Sequence, residues 1–299
     1  MEKIRMDKET FGLIKKVLWE FFRNCINGIP LNPGDQKYRK KLTAKDEAII
    51  HYVKARMPKL QKILNSAIDT TLKENPELLK PEYIKQHFSK CAITLERRAF
   101  NIYLKNEESI FLSIIDKWVS NNAELLKELN KKFPDTTDFS KEICKTFYPI
   151  VKKVEFDSSQ TRKARGGKTF EYIIEYLLNR INISCERPSK EARKILKRID
   201  LVIPDQDTAI KRPDKAYFLS CKRTLRERWK QAIPERKPSW RVFLLTLDEN
   251  LPADKAIEID ALGMIVYVRD ELKETTPLRK KEWVRKLSEL PNDIMLEII

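Results

Sequence analysis

Large apolar residues return every three to four positions through the first half of the chain. Phe11, Ile14, Val17, Leu18, Phe21 and Phe22 share one helical face, with Lys15, Lys16, Glu20 and Arg23 set between them. The same period runs through residues 44–64, 81–104 and 107–129, and Pro58, Pro76, Pro81 and Pro134 punctuate it. This spacing predicts a mostly helical N-terminal region over residues 1–150. No repeat or low-complexity tract interrupts it, and 6 glycines leave little room for flexible linkers.

Beyond residue 150 the pattern changes. Phe170, Ile173, Ile174, Leu177, Leu178 and Ile181 form one stripe and predict a helix over 168–181, entered from a basic loop that holds Gly166 and Gly167. Short apolar runs follow at 199–203, 216–219, 242–247 and 264–268, each with strand character. Residues 253–262 between the last two read as a crossover helix, with Gly263 as its C-terminal cap. Strands alternating with helices predict an α/β layer architecture around a mixed sheet for residues 151–299.

Charge narrows the choice of partner. The net charge of +16 at pH 7 calls for a polyanion, since neutralising phosphates releases condensed counterions. The 5 cysteines are dispersed without CxxC pairs, which argues against a disulfide framework or a zinc site and suits a reducing cytoplasm. With 2 histidines, His51 and His87, histidine-rich metal sites are excluded. No apolar run approaches the roughly 18 residues that span a bilayer, so no membrane association is expected.

Asp200 stands inside the apolar run 199–203, where a carboxylate is costly unless it is paired or ligates a metal. The next apolar run ends at Leu219-Ser220-Cys221-Lys222, and Glu227 and Glu235 come after it. Carboxylates on adjacent strands beside a lysine suit phosphodiester hydrolysis. The carboxylates hold Mg²⁺, and the lysine orients or deprotonates the attacking water or neutralises the phosphate. The plain alternative is an ordinary ion pair between Asp200 and Lys222. Asp205 and Asp214 compete for the carboxylate role, but both follow prolines in loop-like sequence, whereas Asp200 sits in a strand.

From Lys222 to Arg241 there are eight Lys or Arg residues against two acidic ones. Arg226, Glu227 and Arg228 are consecutive. Arginine pairs bidentately with guanine O6 and N7, and glutamate accepts from cytosine N4, so this cluster can read neighbouring G·C pairs in a major groove. A solvated helix start with internal salt bridges is the other reading of such a run.

The segment from Ser220 to Gln231 resembles the signature of the PD-(D/E)XK restriction endonucleases of the EcoRII and SsoII group, which cut at CCWGG or CCNGG. The segment from Ser159 to Glu171 resembles the basic loop of that group leading into a helix with an acidic residue. The likeness covers residues 155–250. It implies Asp200 and Glu235 as metal carboxylates, Lys222 as the catalytic lysine and Glu171 as a helix glutamate near the metals. Glu235 stands where this group relocates an acid, which explains Ser220 at the place where the wider superfamily has Asp or Glu. Arg226, Glu227 and Arg228 match the readers of the CC:GG half-sites, and Gln160 matches a further base-contacting residue. Arg162, Lys163 and Arg165 read as phosphate-contacting residues, because most protein–DNA hydrogen bonds position the backbone. Glu171 and its neighbour Glu175 also read as plain exposed helix charges.

The function expected is that of a homodimeric, Mg²⁺-dependent type II endonuclease acting on double-stranded DNA. It would cut at a short G·C-containing palindrome and leave 5′ overhangs, each subunit cleaving one strand. The N-terminal region would contact DNA, form the dimer, or both. A repair or junction-resolving nuclease on the same core, and a non-catalytic sequence-specific DNA-binding protein, are the competing readings.

Overall fold

The computed structural model describes residues 8–26, 42–225, 240–275 and 278–298. The chain divides into two compact units, one formed by residues 1–59 and 103–163, the other by residues 60–102 and 164–299.

The first unit is helical. It contains α1 (Lys8–Ile26), α2 (Ala44–Lys54), the later part of α5 (Phe88–Asn121), α6 (Ala123–Lys132) and the first part of α7 (Thr136–Arg180). The apolar face of α1 supplies Ile14, Leu18 and Phe22 to a core that also takes in Val53, Phe111, Ile114, Trp118 and Phe147. Phe22 stacks on Phe111. Thr43 starts α2 with a capping box. Its hydroxyl accepts the Asp46 N–H at 3.2 Å, and the Asp46 carboxylate accepts the Thr43 N–H at 3.1 Å. The helical run expected over 44–64 is broken around Pro58, and the chain resumes as α3 (Leu60–Glu74) in the second unit.

The second unit also holds α4 (Pro81–Gln86), the start of α5, the end of α7, and everything after it. Its centre is a five-stranded sheet of β1 (Leu201–Ile203), β2 (Tyr217–Lys222), β3 (Arg241–Thr246), β4 (Ile265–Val268) and β5 (Val284–Lys286), in that spatial order. β1 is antiparallel to β2, and the other neighbours are parallel, so the sheet is mixed as the sequence predicts. Helices α8 (Gln206–Lys211), α9 (Ala253–Ala261), α10 (Asp270–Lys273) and α11 (Leu290–Ile298) complete it. Val202, Phe218, Leu244 and Val266 form one face of the sheet and share a core with Ala256 and Ile259 of α9. Trp240 stacks on Phe218 with ring centroids 4.5 Å apart, which makes it a packing residue at the start of β3. Gly263 ends the crossover helix with φ 59°, and the Met264 N–H reaches back to Ile259 O at 3.3 Å.

Two expectations need correction. The basic loop expected before residue 168 is helix, because α7 runs without interruption from Thr136 to Arg180 and takes in Gly166 and Gly167. The residues around the glycines, among them Gln160, Arg162, Lys163, Ala164 and Arg165, are good helix formers, and the stripe from Phe170 to Leu178 is fully buried. Asp200 lies immediately before β1 rather than within it. It still joins the sheet, since its N–H donates to Leu219 O at 3.0 Å.

Candidate active site

The end of β2 brings the first two candidate residues together. The antiparallel register sets Leu201 opposite Leu219, so Asp200 falls beside Ser220 as the two strands part. Burial along β2 is complete until Lys222, where the strand meets solvent. One oxygen of Asp200, Oδ2, accepts two hydrogen bonds, from the Cys221 N–H at 2.8 Å and from Lys222 Nζ at 2.7 Å. The Asp200 side chain is 17 % exposed and that of Lys222 26 %, so the pair is reachable yet held by backbone. Asp205 is engaged elsewhere as the N-cap of α8, accepting from Thr208 N at 2.7 Å, and Asp214 is exposed in the turn before β2.

Glu171 of α7 belongs to the same group. Burial pushes its carboxyl up to about 7, the charge on Asp200 pushes the same way, and Lys222, Arg193 and Arg187 oppose them. Arg187 is itself held by Glu175, Nε to Oε2 at 3.0 Å, and lies 3.4 Å from the Tyr172 ring centroid. Cys221 is buried, and burial together with Asp200 and Glu171 drives its thiol well above the usual range, so it is no nucleophile.

Gln160, Arg162, Lys163 and Arg165 all project from α7 instead of a loop. Gln160 and Lys163 are exposed, while Arg162 is half-buried with Nη1 3.6 Å from Glu107 Oε2. Glu235, Arg226, Glu227 and Arg228 lie outside the described residues.

Sequence reasoning missed the cations facing Glu171, the partner of Arg223 and the role of Asp248. Arg223 Nε donates to Glu96 Oε1 at 2.5 Å, and Asp248 Oδ2 accepts the Leu225 N–H at 2.8 Å. Nothing in the local pattern marks Glu96, 127 positions from Arg223, but an aspartate two residues past a buried strand was a signal available for Asp248.

Among the described residues no group of three metal-ligating side chains is assembled. The donors present nonetheless suit a hard divalent cation. Burial raises the Glu171 carboxyl and the charge on Asp200 adds to it, and the Ser220 hydroxyl beside them is fully buried without a hydrogen-bond partner among the described residues.

Comparison with known proteins places this geometry in context. The profile of the EcoRII C-terminal family matches residues 136–290. The type II restriction enzyme SsoII of Shigella sonnei is 33 % identical over 158 residues, covering 49 % of this chain and 49 % of that protein. An uncharacterised protein in the DsaVM 5′ region of Dactylococcopsis salina is 39 % identical over 69 residues, 22 % of this chain and 58 % of that one. The chain thus matches about half the length of these relatives. Metal-depleted Ecl18kI in complex with uncleaved DNA has the same fold, with a TM-score of 0.68 at 17 % identity over 85 % of this chain and 84 % of that one. The PspGI–substrate DNA complex aligns at a TM-score of 0.58 and 23 % identity, covering 82 % and 95 %.

Proposed function

This chain belongs to the EcoRII C-terminal family, and we propose that it is a type II restriction endonuclease that binds double-stranded DNA and hydrolyses both strands with Mg²⁺. The observation that carries this reading is the Asp200–Lys222 contact at 2.7 Å, with Glu171 as an electrostatic neighbour of both. The target is a short G·C-containing palindrome of CCGG or CCNGG type cut to leave 5′ overhangs. Support comes from the Arg226-Glu227-Arg228 run, whose side chains match the edges of guanine and cytosine, and from relatives whose solved structures are DNA complexes. A homodimer follows from the symmetry of such a target, with the N-terminal helices contacting DNA, the partner subunit, or both.

Asp200 and Glu171, joined by Glu235, would hold the metal. A divalent cation bound there would supply stabilisation of charge on the phosphate and acidify a water. Asp200 is fixed for this by the Cys221 N–H, so its free oxygen has a set direction. Lys222 keeps its ammonium at the strand end, where it neutralises the phosphate or orients the water. Glu171, held up near 7, must give up its proton before it can act as a ligand. Gln160, Arg162, Lys163 and Arg165 offer the cationic and amide groups that grip backbone or bases from α7.

Incubation with plasmid and Mg²⁺, followed by sequencing of the cut ends, tests the proposal. Discrete fragments with short 5′ overhangs at G·C-rich sites are expected. Binding without scission sinks it in favour of a non-catalytic DNA-binding protein, and cutting without sequence preference favours a repair or junction nuclease.

A further inference from the structure

Two contacts hold the backbone that leaves Lys222. The first is made by Arg223, whose Nε donates to Glu96 Oε1 at 2.5 Å and whose guanidinium lies 5.5 Å from the Phe100 ring centroid. The arginine stem packs along α7 at Gly166, where a Cβ would stand 3.4 Å from Arg223 Cδ, an ordinary contact. The second lies two residues further on. Leu225 is buried at 1 % exposure, and its N–H donates to Asp248 Oδ2 at 2.8 Å.

Asp248 is itself fixed. Its N–H donates to Thr246 Oγ1 at 3.0 Å, and that hydroxyl donates to Arg223 O at 3.5 Å. Thr246 is fully buried and pairs in register with Lys222 across β2 and β3. The other oxygen of Asp248 accepts the Asn250 N–H at 3.4 Å. The aspartate therefore ties the end of β3 to the segment that continues β2, at the last residue before Arg226. A carboxylate accepting a part-buried backbone N–H is a strong, directional bond.

We infer that Asp248 is a specificity-positioning residue: it fixes the backbone between Lys222 and Arg226, and so the register of base reading relative to the scissile phosphate. This rests on the nuclease reading above. Asp248 touches neither substrate nor metal in this scheme. Its effect is geometric, and a displacement of about 1 Å suffices to change a rate roughly a hundredfold.

The test compares Asp248→Ala with Asp248→Asn, the latter keeping an acceptor oxygen. Cleavage rates are measured on a cognate site and on sites altered at one base pair. Asp248→Ala is expected to lower the cognate-to-altered ratio at least tenfold, and Asp248→Asn to stay within threefold of wild type. Hydrogen exchange at the Leu225 amide should rise at least tenfold in Asp248→Ala, with the β2 amides unchanged. A wild-type ratio in Asp248→Ala, or a Leu225 amide still protected, overturns the inference. Should Asp248→Ala not fold, Asp248→Glu takes its place, because one methylene displaces the acceptor while charge is kept. The same tenfold loss is expected there, and a wild-type ratio overturns the idea. A wild-type protein that cuts no DNA sinks the nuclease reading instead, and the exchange measurement then decides the tie between Asp248 and Leu225 alone.

Discussion

Lys222 Nζ and the Cys221 N–H converge on the same oxygen of Asp200, at 2.7 Å and 2.8 Å. The lysine thus belongs to the carboxylate it is paired with, and the carboxylate is held in place without it. Lys222→Ala should leave the fold and the orientation of Asp200 intact. Cutting should fall by about 10²–10⁴-fold, the usual contribution of a positioned proton-transfer group. Gel-shift binding to cognate DNA should persist, and a variant that cuts at the wild-type rate would rule out this active site.

Arg226→Ala addresses reading instead of cutting. Loss of one bidentate contact to guanine should cost about 1–3 kcal/mol of discrimination at one base pair. Relative cleavage across the single-substituted sites would show relaxed preference at that pair alone. Uniform weakening at every position would make Arg226 a phosphate contact.

Asp157 sets an acid limit on the first unit. Burial pulls its carboxyl up, but hydrogen bonds from Lys54 at 2.5 Å and Lys153 at 3.0 Å outweigh that and hold it below the ordinary range. A group depressed in the folded state stabilises above its unfolded pKa, about 3.9, and the contribution is lost as pH falls through the lower folded value. Thermal unfolding between roughly pH 2 and 5 should therefore show a shallower acid decline in Asp157→Asn than in wild type. Parallel curves would remove the ion pair from the account.

Gly167 sits in the interior of α7, and an added Cβ there meets nothing within 4 Å. Gly167→Ala should stabilise the protein by about 0.5–1 kcal/mol, the helix-interior cost of glycine. A rise in Tm with unchanged cutting would make the glycine incidental. A rise in Tm with weakened DNA binding would show that the backbone there needs to come close to a phosphate.

The strands could be read from the sequence because their apolar runs are short and bounded, and the crossover helix because Gly263 ends it. β5 could not, since Val284-Arg285-Lys286 offers one apolar residue and takes its order from pairing with β4. The pair Gly166-Gly167 suggested a loop, but glycine's cost of about 1 kcal/mol each was outweighed by the helix formers before them and the buried stripe after. Asp200 and Lys222 stood out through strand chemistry alone. The grouping of Glu171 with Asp200 came through the family resemblance of the segment from Ser159 to Glu171 and not from strand chemistry, for it depends on how α7 meets the sheet.

The buried thiol whose N–H steadies Asp200 also bears on how the protein tolerates handling. Cys221 is 2 % exposed, and Cys91 and Cys185 are buried too. Peroxide, disulfides and alkylating agents act on reachable thiolates, and these groups offer none. Strand β2, which carries Lys222, is in that sense chemically inert at its thiol. Storage without reductant should leave Cys221 unaltered, and its oxidation would have to begin by opening the sheet, whereas Cys144 is only half-buried.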